Sequence, residues 1–295
     1  MSNPYLDPQR IRAALRALEL RPTRAMGQNF LLDQAALAAI VAAAQLEPSD
    51  VVVEVGPGLG VLTWELTQRA RHTLAVELDR RLAARLHNEF AQAPLTIMTA
   101  DVLRITPDAL FAALPPTLDP PPTSYKLVAN LPYAITSAVL RHFLSASQPP
   151  DLSVLLVQWE VAQRIVAQAG DLSVLAHSVQ IYAEPMIIQR VPAASFLPAP
   201  AVDSAIIQLR RRPQLAVQVD NLDGLFRVIK AGFLQARKQL GNALPKGLAA
   251  LGQPVERDVA LAALAAAGID PQRRAETVTL EEWAMVDRAL REGKA

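Results

Sequence analysis

The stretch Val51-Val52-Val53-Glu54-Val55-Gly56-Pro57-Gly58-Leu59-Gly60 constrains this chain more than any other. The valine-rich run predicts a strand, and the periodic residues after it predict a helix to about residue 69. Glycines between a strand and a helix let the backbone approach a ligand closely, at a helix N-terminus that favours electron-rich groups. The spacing is Gly-x-Gly-x-Gly. The dinucleotide pattern Gly-x-Gly-x-x-Gly is not met, because position 61 is Val. That spacing argues against NAD, whose pyrophosphate uses the longer turn.

The rest of the first two-thirds repeats this alternation. Strands are predicted at 73–76, 95–99, 126–129 and 153–158, with helices over 8–20, 33–46 (Asp33 a candidate cap), 80–91 and 136–146. The proline-rich stretch 115–122 excludes regular structure and predicts an exposed loop. Strands and helices at this spacing predict a doubly wound, Rossmann-like α/β parallel sheet. After Gly170 come a helix and two apolar β-type runs near 185–191 and 204–210. Beyond about 213 the pattern is helical, over 221–235, 237–249, 256–266 and 280–291. The expected boundary falls near 207–215, which divides the chain into 1–210 and a small helical domain, 211–295.

Composition narrows the chemistry. The absence of cysteine excludes disulfides, thiolate zinc sites and a cysteine nucleophile, and the four scattered histidines lack ligand spacing, so no metal is expected. The chain is 51% apolar without a run long enough to span a bilayer, and Met1 to Arg10 lacks an apolar signal core. A cytoplasmic protein without membrane attachment is expected. Net charge is only +1, yet Arg10, Arg12, Arg16, Arg21 and Arg24 crowd one end. Residues 210–246 carry a second basic run. Such runs are commonly solvated faces, but two of them flanking a neutral core also fit an RNA footprint.

Three further signals bear on the site. Glu77 ends the second strand, where a carboxylate binds ribose hydroxyls, and Asp101 follows the third, where it can accept from an adenine amine. Either acid alone could be a cap. Together with the glycine loop they describe a nucleoside cofactor site without a diphosphate, which S-adenosylmethionine fits. The third signal is Asn130-Leu131-Pro132-Tyr133 at the end of the fourth strand. Asn130 offers an acceptor, Pro132 stiffens the turn and Tyr133 offers a ring face, a set suited to holding a planar amine. The plainer reading is strand-to-turn punctuation.

Read together, these motifs resemble the rRNA adenine N6-dimethyltransferase family, specifically its bacterial small-subunit members. The resemblance runs through Gly27-Gln28-Asn29-Phe30-Leu31, Glu54 to Gly60, Val76-Glu77-Leu78-Asp79, Asp101-Val102-Leu103 and Asn130-Leu131-Pro132-Tyr133. It continues with Phe196-x-Pro198-x-Pro200-x-Val202-Asp203-Ser204-Ala205, Arg237-Lys238 and Arg274-Ala275-Glu276. It implies a class I methyltransferase sheet in 1–210, an RNA-binding role for 211–295, and S-adenosylmethionine as cofactor. By resemblance Asn29 and Leu31 cover the cofactor, Gly56 and Gly58 line it, Glu77 binds ribose and Asp101 adenine. Asn130 then lies beside the transferred methyl. Asn130 and Leu131 grip the amine, with Pro132 shaping the turn, and Tyr133 and Phe196 hold the flipped base.

The chain departs from the family at Arg24-Ala25-Met26, at Trp159, where lysine is common, and in a shortened Gln168 to Asp171 segment. The implied activity is dimethylation of two adjacent adenosines near the 3′ end of small-subunit (16S) rRNA. The expected partner is a pre-30S particle and the expected state a monomer. The alternatives are a large-subunit (23S) enzyme of the macrolide-resistance type and a non-catalytic assembly or transcription factor that keeps the fold.

Overall fold

The computed structural model describes residues 3–20 and 29–293. Gly27-Gln28, Arg21 and Arg24-Ala25-Met26 lie outside the described residues. Nine strands occur among those described: β1 Phe30–Leu31, β2 Val51–Val55, β3 His72–Glu77, β4 Leu95–Thr99, β5 Lys126–Asn130, β6 Leu152–Gln158, β7 Ala183–Val191, β8 Phe196–Leu197 and β9 Ser204–Arg211. Seven form one sheet in the order β4-β3-β2-β5-β6-β9-β7, and β1 pairs with β8 in a separate antiparallel ribbon.

Every residue of β2 is buried, as expected of a strand covered on both faces. β2 runs parallel to β3 and β5, β3 to β4, and β5 to β6. The apolar runs near 185–191 and 204–210 join this sheet rather than standing apart, and β9 lies antiparallel to β6. Six consecutive buried residues, Ser204 to Leu209, suit the interior place of β9 between β6 and β7. The helix Gln34–Ala44, entered through the Asp33 cap, packs on β6 and β9. Its Leu37 and Ile40 join Val52, Val128, Val154 and Ile206 in one core. Each such side chain contributes roughly 1.5–3 kcal/mol on burial. No helix or strand lies between Ala112 and Lys126, where the prolines cluster.

The chain divides into two compact units, 1–162 with 184–211, and 163–183 with 212–295. It therefore crosses not only after Arg211 but also through the excursion 163–183, which a single linear boundary does not capture. The reason lies in the core: Val174, Ile181 and Tyr182 pack with the C-terminal helices. That unit contains the helices Leu222–Phe233, Leu240–Ala250, Arg257–Ala266 and Leu280–Glu292 around the fully buried Trp283.

Candidate functional site

The sheet's connections reverse direction at β2 and β5: from β2 the chain goes outward to β3 and β4, then returns to β5 and β6 on the other side. A crevice opens beyond the carboxyl ends of strands at such a switch point. Here it is a cavity of about 690 Å³ lined from Asn29 to Ile135. Each strand end delivers a residue to its wall: Gly56 after β2, Glu77 from β3, Asp101 after β4, and Asn130 from β5.

The glycine loop folds where it does for steric reasons. Gly58 has φ +59°, and a Cβ there would sit 3.2 Å from the Phe30 ring. Gly60 has φ +87°, and its Cβ would lie 2.8 Å from the Phe90 ring. Both positions favour glycine in backbone and in space. Glu77 then ties the loop down. Its Oε2 accepts from the Gly58 N–H at 3.1 Å and its Oε1 from the Asp79 N–H at 2.9 Å. Burial raises its pKa, against the lowering effect of the backbone donors of Asp79, Gly58 and Leu78. A carboxylate has about four lone-pair sites, so these backbone donors still leave acceptor capacity for a ligand's hydroxyl.

Asp101 also has a structural bond, since Oδ1 accepts from the Leu103 N–H at 3.0 Å and caps a short turn. The capping bond and a place in the cavity wall coexist here. Asn130 is oriented from outside its own strand: its Nδ2 donates to the Asn29 carbonyl at 3.0 Å. That bond directs the amide's donor side to the chain and leaves Oδ1 as an acceptor. Asn29 and Leu31 line the same wall.

The other expected site residues sit differently. Pro132 lines the cavity, but Leu131 is 1% exposed and its N–H donates to the Leu156 carbonyl at 3.2 Å. Tyr133 is half-buried outside the wall, its Oη 2.7 Å from Ser204 Oγ. Burial raises its pKa, so the phenol is neutral at physiological pH. Phe196 is 3% exposed, paired with Leu31 across the small ribbon and packed into the core. A ring so enclosed offers no open face, so the expected stacking role is not met in this arrangement.

Two wall residues escaped the sequence reading. Glu54 is buried in β2, and its Oε2 has no hydrogen-bond partner. Burial pushes its carboxyl up to about 8, the Thr63 hydroxyl opposing this and the charge of Glu77 adding to it. The signal was available as a lone acid inside a valine strand. Leu78 is 68% exposed, an apolar side chain on a polar rim. Its signal was its position immediately after Glu77. Part of the predicted basic character is internally paired, Arg10 with Glu89 at 3.4 Å and Arg211 with Asp151 at 3.3 Å. Among the described residues no cluster of metal-ligating side chains occurs, and no helix is long and apolar enough to cross a membrane.

Comparison with known proteins places this geometry. The family described as "Ribosomal RNA adenine dimethylase" matches residues 21–287. The chain is 46% identical over 270 residues to "Ribosomal RNA small subunit methyltransferase A" of Dehalococcoides mccartyi (strain 195), covering 90% of this chain and 88% of that protein. It is 42% identical over 286 residues to the protein of the same name from Moorella thermoacetica, covering 96% and 97%. Among solved structures it is similar to the 23S rRNA methyltransferase ErmE, with TM-score 0.66, 29% identity, and 89% of this chain and 100% of that chain covered. It shares its fold with a dimethyladenosine transferase from Plasmodium falciparum, with TM-score 0.70, 23% identity, and 87% and 95% covered.

Proposed function

The chain belongs to the ribosomal RNA adenine dimethylase family, and from that premise we propose that it dimethylates the N6 amines of two adjacent adenosines near the 3′ end of small-subunit rRNA. S-adenosylmethionine is the proposed methyl donor. Two features support that cofactor. The glycine cradle closes against Phe30 and Phe90, with Gly58 and Gly60 at positive φ where a side chain would be strained. Glu54 also lines the cavity with its Oε2 buried and unpartnered, and a cationic ligand would favour the ionised form of this carboxyl.

When bound, the cofactor supplies an already activated sulfonium methyl. Everything else falls to the chain's own groups. Glu77 accepts from ribose hydroxyls and Asp101 from the adenine amine, while Gly56, Gly58, Asn29 and Leu31 enclose the ligand. An adenine N6 amine is a weak nucleophile because its lone pair is delocalised into the ring. The Asn130 Oδ1 and the Leu131 carbonyl accept its hydrogens, which favours a pyramidal nitrogen and stabilises the charge that develops there. Pro132 holds the turn, and the Tyr133 ring, tethered through its hydroxyl to Ser204, stacks the extruded base. Phe196 supports Leu31 from the core instead of touching the base.

The observation that carries the chemistry is Asn130, with its donor side committed to Asn29 and its acceptor left over in the cavity wall. The choice of subunit follows the names of the relatives. We assign methyl transfer to the sheet unit, 1–210 in the linear division, and RNA contact to 211–295. The protein would act as a cytoplasmic monomer on a pre-30S particle.

The test is labelled S-adenosylmethionine with undermethylated small or large subunits, followed by mapping of the modified base. Label at adjacent small-subunit adenosines is expected. Label confined to the large subunit would favour the 23S reading, and binding without transfer the non-catalytic factor. Asn130→Ala should lower kcat by at least about 100-fold while cofactor affinity changes far less.

A further inference from the structure

Beyond the cavity, the same edge of the sheet carries an aromatic–cation pair that the reaction as described does not use. Trp159 follows directly on β6, whose Leu156 pairs with Asn130 of β5. The Trp159 backbone N–H donates to the Asp203 carbonyl at 2.9 Å. Asp203 precedes Ser204, the residue that tethers Tyr133, and Tyr133 follows the cavity residue Pro132. The guanidinium carbon of Arg190 lies 4.8 Å from the Trp159 ring centroid. A chain of bonded neighbours thus leads from the proposed amine clamp to this stack.

We propose that the Trp159–Arg190 stack is a platform for a nucleobase of single-stranded RNA next to the target adenosine, an inference that rests on the rRNA-methylating reading above. The arginine is held from two sides. Trp159 supports one face, and Asp203 Oδ2 accepts from Nε and also lies 2.9 Å from Nη2. Asp203 is itself fixed, because its Oδ1 accepts from the Ala193 N–H at 3.0 Å. With its orientation set, the Arg190 side chain remains 57% exposed. An exposed ion pair contributes little to stability, so folding alone gives weak reason for so defined an arrangement. A planar cation on an aromatic is a recurrent base-stacking surface, since every base presents a π-face and arginine stacks where lysine cannot. An extruded adenosine leaves its neighbour unstacked, and a second platform beside the pocket offers that neighbour a substitute.

The experiment measures KM and kcat on undermethylated small subunits, and binding of a short single-stranded oligoriboadenylate, for Arg190→Ala, Arg190→Lys and Trp159→Phe. Both arginine variants should raise KM and weaken oligonucleotide binding about 5–30-fold, with kcat and cofactor affinity within about twofold of the parent. Trp159→Phe, which keeps a ring, should show a smaller loss. A wild-type KM in Arg190→Lys would overturn the platform, since a point charge would then suffice. A loss on subunits without a loss on the oligonucleotide would instead indicate a protein contact and also overturn it. A lowered Tm with unchanged KM would reduce the stack to a structural tie. Failure of the parent protein to methylate either subunit would refute the reaction itself, whereas methylation with no response in these variants refutes only the platform.

Discussion

At the scale of single residues, one carboxylate carries two duties. Glu77 anchors the glycine loop through Gly58 and the following turn through Asp79, and it also faces the cavity. Glu77→Ala should therefore weaken S-adenosylmethionine binding by more than tenfold in calorimetry, because loop order and hydroxyl acceptors are lost together. Glu77→Gln, which keeps one acceptor oxygen, should fall between. Equal affinity in all three proteins would remove the ribose role. Glu77, Asp101 and Asn130 were legible in the sequence because each ends or follows a predicted strand. Phe196 was not, because a proline-rich turn does not reveal which way its aromatic points. The tether from Tyr133 to Ser204 joins residues far apart in sequence, and no local pattern announces it.

At the scale of elements, helix packing overrides intrinsic propensity. Gly247 lies within the helix Leu240–Ala250, where alanine alone would be favoured by about 1 kcal/mol. A Cβ at that position would sit 2.0 Å from the Ala231 carbonyl oxygen of the helix Leu222–Phe233. Backbone cannot rotate aside, so relief requires the two helices to separate, and overpacking of this kind costs typically about 1–3 kcal/mol. Gly247→Ala should lower the urea midpoint despite its better propensity, and an unchanged or raised midpoint would contradict the packing argument. The four C-terminal helices were predicted within a few residues of where they lie, because amphipathic periodicity is local. Which glycines serve as contact points between them is not local, and the sequence left them unmarked.

For the whole molecule, each unit buries a titratable group that carries an unpartnered polar atom, and the two respond to pH in opposite senses. Glu54 in the sheet unit rises from 4.5 to about 8 on burial, so the folded chain keeps a proton that the unfolded chain releases. Its contribution to stability falls as pH climbs between those values. His177 in the helical unit is pushed by burial from 6.5 down to about 4, with neither ring nitrogen bonded. There the unfolded chain binds the extra proton, and stability falls as pH drops through that window. Without ligand, the Tm advantage of Glu54→Gln over the parent should grow by several degrees from pH 5 to about 8.5. That of His177→Phe should grow from about pH 7 down to pH 4.5. Differences flat with pH would show that these groups do not titrate as their burial dictates. The sequence by itself determined the alternating sheet, the glycine cradle and the acids at its strand ends, because periodicity, turn chemistry and spacing act over a few residues. The tertiary structure alone decided that 163–183 joins the helical unit, that β9 runs antiparallel inside the sheet, and that Phe196 is core. It alone placed Glu54, with its unpartnered Oε2, in the wall of the glycine-loop cavity, for burial and long-range pairing depend on residues that meet only when the chain has folded.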